Sequence, residues 1–158
     1  MINDTLKVTG EVAIELFDTH GDKIDGIVVP NLVVTTGKGF IASSMVKTTS
    51  NSPAAMTHMA IGFGTTTQAL GNTNLVSEQR RNAFDVGYPS VSGAIVTYRA
   101  SFIAGQATGA VTEAGIFNYS TYTGTPTSSQ ILLCRTTFAA INKADADSMT
   151  VTWTITIA

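Results

Sequence analysis

Apolar residues fall on every second position in several stretches of the chain. Leu6, Val8, Val12, Ile14 and Leu16 alternate with Lys7, Thr9, Glu11 and Glu15. This period of two predicts a half-buried strand. The turn-rich run Asp18, Thr19, His20, Gly21 and Asp22 follows, and 23–29 returns as a second strand, so 5–29 reads as a hairpin. In 94–103, Val96, Tyr98, Ala100 and Phe102 share one face and Thr97, Arg99 and Ser101 the other. At 149–157, Val151, Trp153, Ile155 and Ile157 oppose Thr150, Thr152, Thr154 and Thr156, and Trp153 is assigned a structural role on the apolar face. Further strands are expected at 56–64 and 130–138, and 75–81 reads as one helical turn or the entry to a strand. One helix is expected over 37–46, with Phe40, Ile41 and Met45 on one face and Thr35 or Thr36 as its cap. The segments 47–55, 65–74 and 119–129 read as loops.

The stretch 107–118, Ala-Thr-Gly-Ala-Val-Thr-Glu-Ala-Gly-Ile-Phe-Asn, is the one around which the rest is arranged. It lacks a helical period and reads as a strand entering a tight turn, buried on at least one face. Its one charge is Glu113. A carboxylate in such a strand must be hydrogen-bonded, paired or at an edge. Glu113 is therefore expected to be structural, accepting backbone N–H bonds or pairing with Arg80, Arg81 or Arg99, and its loss should cost about 1–3 kcal/mol.

Composition narrows the class. The 158 residues suggest one domain over 1–158, long enough for a real core. Charged residues are 13% of the chain, against about 25% in an ordinary globular domain. Thr, Ala, Gly and Ser take their place, so part of the surface is expected to lie against neighbours. The net charge of −2 gives no electrostatic case for nucleic acid. No apolar run approaches the ~18 residues of a membrane span, and the first seven residues lack the pattern of a secretory leader. Low charge and a single cysteine fit assembly in a reducing cytoplasm.

Candidate chemistry is sparse. Cys134, among Leu132, Leu133 and Phe138, reads as a buried, inert thiol. His20 at a hairpin tip reads as solvated. Asp18, Asp22 and Asp25 lack the glycine and terminal Glu of a calcium loop, and Asp145 and Asp147 read as solvated turn acids. Glu78 beside Arg80 and Arg81 reads as a surface pair. The run Gly62, Phe63, Gly64, Thr65 lacks the Gly-Lys-Ser/Thr ending of a phosphate loop. No enzyme activity, cofactor or metal is expected. Tyr119 and Tyr122, aromatics in a polar loop, are candidate contact residues.

Several short motifs follow one another along the chain. Asn31-Leu-Val-Val-Thr-Thr-Gly-Lys38 comes first, then Met59-Ala-Ile-Gly-Phe-Gly-Thr-Thr66, Ala69-Leu-Gly-Asn72 and the pair Arg80-Arg81. Tyr98-Arg-Ala-Ser-Phe102, Thr112-Glu-Ala-Gly-Ile-Phe-Asn118 and the Thr-rich 149–157 follow. In this order the chain resembles small tailed-bacteriophage structural proteins over most of 28–158. It is similar, more distantly, to the N-terminal domains of phage tail-collar fibres. The resemblance implies an all-β, jelly-roll-like antiparallel β-sandwich with one short helix, in a non-enzymatic and often trimeric virion component. Fibres usually continue into a long shaft, and this chain ends at Ala158, which favours a capsid decoration (cement) protein of the head. The expected partners are further copies of itself in a homotrimer, and the major capsid protein or neck and tail proteins. Two alternatives stand beside it: a neck or tail-fibre/collar adaptor, and a carbohydrate-binding module. The closing strand at 149–157, long and free of protective charge, is expected to offer an edge for pairing with another chain.

Overall fold

A computed structural model describes residues 6–46, 48, 53–121 and 129–158. In chain order the elements are β1 (Val8–Phe17), β2 (Lys23–Pro30), β3 (Leu32–Val33), α1 (Thr35–Val46), β4 (His58–Gly62), β5 (Glu78–Ala83), β6 (Ser90–Ser92), β7 (Ile95–Phe102), β8 (Gly109–Phe117), β9 (Leu132–Lys143) and β10 (Ser148–Ile157). They form two antiparallel five-stranded sheets, ordered β2-β1-β10-β7-β6 and β3-β9-β8-β4-β5. The chain is an all-β sandwich with one short helix among the described residues.

Alternation decides which side chains meet between the sheets. In β1 and β10, Val12 lies opposite Trp153, Ile14 opposite Val151 and Leu16 opposite Met149. All six are buried. On the second sheet Met59, Ile61, Val111, Ile116 and Ile141 answer them from β4, β8 and β9. The β1–β2 hairpin is closed by Asp18, whose carboxylate accepts from the backbone N–H groups of His20 (2.8 Å) and Asp22 (2.9 Å). The Asp22 bond leads the causes that hold this carboxyl below its usual range. His20 is exposed at the tip.

Two expectations about elements need correction. β10 is not an edge: it lies between β1 and β7 and is hydrogen-bonded on both sides. The Thr-rich sequence that looked unprotected is a central strand whose threonines line the outer face of the first sheet. The sheet edges are β2, β6, β3 and β5. The helix begins earlier than expected, and Met45 is 78% exposed while Phe40 and Ile41 pack on the core. The hydroxyl of Thr36 does not cap it but donates to the Leu132 carbonyl (2.8 Å). Gly37 lets α1 press onto β9, since a Cβ there would stand 2.0 Å from the Leu133 carbonyl oxygen.

The second sheet is covered on both faces. Beyond the main core, Val34, Ala60, Leu75, Phe117 and Leu132 form a smaller apolar cluster. Ala60, Phe117 and Leu132 alternate with residues of the main core, so this cluster lies on the sheet's outer face. The segment 63–77, between β4 and β5, brings Leu75 over it. β8 is accordingly buried along nearly its whole length.

Candidate functional site

The residues of 112–118 that point outward from β8 hold this covering layer. Thr112 donates its hydroxyl to the Gly64 carbonyl (2.9 Å). Glu113, fully buried, accepts from Gly64 N–H (3.0 Å) and Ser77 N–H (2.7 Å) at Oε1, and from Val76 N–H (3.0 Å) at Oε2. Its cation is Arg135 of β9, which donates Nε (3.1 Å) and Nη2 (2.8 Å) to Oε2. Neither Arg80, Arg81 nor Arg99 fills this role. Arg135 projects from β9 on the same outward face, opposite Gly115 and two residues from the partner of Glu113, and so reaches the carboxylate across the ladder.

The guanidinium continues into the loop. Arg135 donates to the Thr66 carbonyl (2.9 Å) and to Asn72 Oδ1 (3.1 Å), and that same oxygen accepts from Ala69 N–H (2.7 Å). Thr137 donates to Gln68 (2.6 Å), and Thr35 N–H to the Leu70 carbonyl (2.9 Å). The segment 65–74 is therefore pinned from below while Thr65, Thr66, Thr67, Ala69, Leu70 and Gly71 face solvent. The Gly62, Gly64 pair serves this arrangement and not a phosphate. A Cβ at Gly64 would stand 2.4 Å from Glu113 Oε1, and one at Gly62 2.7 Å from it. The backbone approaches a carboxylate of the protein's own.

A second ion pair lies beside the first. Glu78 and Arg81 are joined twice, Nε to Oε1 (2.8 Å) and Nη2 to Oε2 (2.7 Å), with both side chains buried. This corrects the expected surface pair. Arg81 Nη1 donates to the Tyr119 carbonyl (3.0 Å) and to Gln130 Oε1 (3.1 Å), and the guanidinium lies 3.7 Å from the centre of the Phe117 ring. Burial pushes the Glu78 carboxyl up, opposed by Arg81 and reinforced by Glu113. Asn118 closes the base of 119–129, accepting from Ile131 N–H (2.6 Å) and donating to the Ser129 carbonyl (3.2 Å).

The remaining expected residues are dispersed. Arg80 is exposed and donates to Asn82 (2.8 Å). Arg99 lies 3.3 Å from Asp85 on the first sheet. Trp153 is fully buried in the main core. Tyr119 is 36% exposed; Tyr122 lies outside the described residues. Cys134 is fully buried, and burial pushes its thiol far above the ordinary value. Asp147 is not solvated but buried, accepting from Ala144 N–H (2.9 Å).

With five donors on two oxygens, the acceptor capacity of Glu113 is spent within the protein. Among the described residues no three His, Cys, Asp or Glu side chains gather as a metal site, and no helix is long and apolar enough to cross a membrane. No known protein family, curated protein or solved structure matches this chain.

Proposed function

We propose that the protein is a non-enzymatic structural component of a tailed-bacteriophage virion, a decoration (cement) protein of the head that works as a homotrimer bridging neighbouring capsid subunits. It would assemble in the host cytoplasm and reside in the virion. The observation that carries this reading is the layer over the second sheet. One buried ion pair, Glu113–Arg135, fixes a loop whose outward side chains at 65–71 are all uncharged, and a second, Glu78–Arg81, holds the neighbouring backbone at Tyr119. A loop fixed in advance loses little conformational freedom when it is covered, so it favours a permanent contact. The low charge of the chain and the resemblance of its motif order to small phage structural proteins support the same reading. So does multivalency, because three weakly binding copies seated where capsomers meet act together.

The test is made on purified particles. Hundreds of copies per virion, with loss of heat and osmotic resistance in particles stripped of the protein, are expected. About a dozen copies would instead place it at the neck or tail. Stripped particles as resistant as intact ones would remove the cement role. Specific binding on a glycan array would move the protein to the carbohydrate-binding class.

A further inference from the structure

A groove of about 510 Å³ runs between α1 and the start of β1, with Leu6, Val33, Ile41 and Met45 in its apolar wall and Lys7 and Lys38 at its rim. Leu6 is 64% exposed and Met45 78%. Among the described residues no acid lines the groove and neither lysine forms an ion pair. The opposite end of β1 carries the reverse pattern. There the β1–β2 hairpin exposes Asp22 and Asp25 together with Ile24 (54%). The edge of β2 adds backbone N–H and C=O groups with no neighbouring strand among the described residues.

We infer that the acidic, apolar β1–β2 hairpin of one copy docks in the basic, apolar groove of the next. Apolar surface meets apolar surface, and Asp22 and Asp25 face Lys7 and Lys38. The complementary patches stand at opposite ends of a ten-residue strand, so one chain cannot satisfy itself. The contact is head-to-tail, and such a contact must close into a ring or grow into a filament. Closure at three copies rests on the homotrimer proposed above.

Sedimentation and light scattering on the full chain test this with charge reversals on exposed positions, each variant checked by circular dichroism. Wild type should be a trimer at micromolar concentration. Lys7→Glu with Lys38→Glu, or Asp22→Lys with Asp25→Lys, should each weaken it at least about tenfold, since like charges then face one another. The four changes together should restore it. Met45→Asp, which puts charge on the groove wall, should also dissociate it. A trimer indifferent to these changes, as when residues 1–5 of the same chain fill the groove, would overturn the docking and leave the virion role standing. Failure of the four-fold variant to regain the trimer would overturn it too. A monomeric wild type would remove both docking and preformed trimer, while copy number on particles still decides the virion role.

Discussion

Replacing Glu113 by alanine removes the acceptor of five hydrogen bonds at once. Three of the donors are backbone N–H groups of Gly64, Val76 and Ser77, and two belong to Arg135, a guanidinium with no exposed surface. Breaking a buried ion pair from one side costs about 3–5 kcal/mol, because the other charge stays behind. Each orphaned buried N–H adds about 1–3 kcal/mol if nothing replaces its partner. These terms are not additive, because a loop freed of its anchor can lift and let water reach the donors. We therefore expect a net loss of about 3–5 kcal/mol, above the 1–3 kcal/mol expected of an unspecified partner set. In urea, with a slope of about 2 kcal/mol/M, the midpoint should fall by roughly 2 M.

The lifting of the loop gives a second readout. Amide exchange at Gly64, Val76 and Ser77 should accelerate under conditions where the β1–β10 ladder stays protected. Glu113→Gln with Arg135→Met removes both charges and keeps one acceptor oxygen. It should lose less than the sum of the two single changes, by about 1–3 kcal/mol of coupling. A Glu113→Ala protein within 1 kcal/mol of wild type, or strictly additive singles, would refute the reasoning.

Gly64→Ala should cost about 1–3 kcal/mol in the same titration, since its Cβ would press on a carboxylate locked on all sides, while Gly71→Ala, with open space around it, should stay within about 0.5 kcal/mol. Arg81→Lys keeps the charge but loses the fork on Glu78 and the face of Phe117, and its melting temperature should drop by several degrees, corresponding to about 2 kcal/mol. Lys143 is 1% exposed and its ammonium has no hydrogen-bond partner among the described residues, so Lys143→Met should stabilise at pH 7 by about 1–3 kcal/mol. Burial holds the Lys143 amine below its ordinary value against the pull of Asp147 and Asp145, so the unfolded chain binds more protons there. Wild-type stability should thus rise toward the unfolded lysine value near pH 10, and the advantage of Lys143→Met should shrink; a constant difference from pH 7 to 10 would count against this.

Where one face of a strand is apolar and the other polar, the fold was legible in the sequence. β1, β7 and β10 alternate in the sequence as they do in the sandwich, because a period of two leaves one choice of buried face. The outer layer on the second sheet was less so. β4 and β8 are buried on both faces, and the edge strand β5, written Glu-Gln-Arg-Arg-Asn-Ala, buries Glu78 and Arg81 while Gln79 and Arg80 stay exposed, so it carries no apolar alternation to read. Its buried charges look in sequence like a solvated surface. Arg135 went unnoticed for the same reason, although one signal was present. It is a lone cation inside Ile131-Leu-Leu-Cys-Arg-Thr-Thr-Phe138, just as Glu113 is a lone anion inside 107–118. Two solitary opposite charges in two buried strands are far cheaper to bury together than apart. That argument selects Arg135 over Arg80 and Arg81, which stand next to each other and close to Glu78, whereas Arg99 is as solitary as Arg135 in its strand and is separated from Glu113 only by lying on the other sheet.

The misplacement of β10 has a physical lesson for assembly. An alternating strand without charged gatekeepers can be either an exposed edge or a strand shielded on both sides, and local sequence cannot distinguish them. Pairing partners far away in the chain decide: β1 from the start and β7 from the middle close on the last strand. The need for protection then moves to β2, whose sequence supplies it. Lys23 and Asp25 place charge along that edge and Pro30 ends it without a donor. Such an edge resists pairing with an indifferent strand, and still leaves Ile24 and Val28 free for a partner that matches the charge as well as the apolar surface. A surface protected in this way favours one specific neighbour over general aggregation.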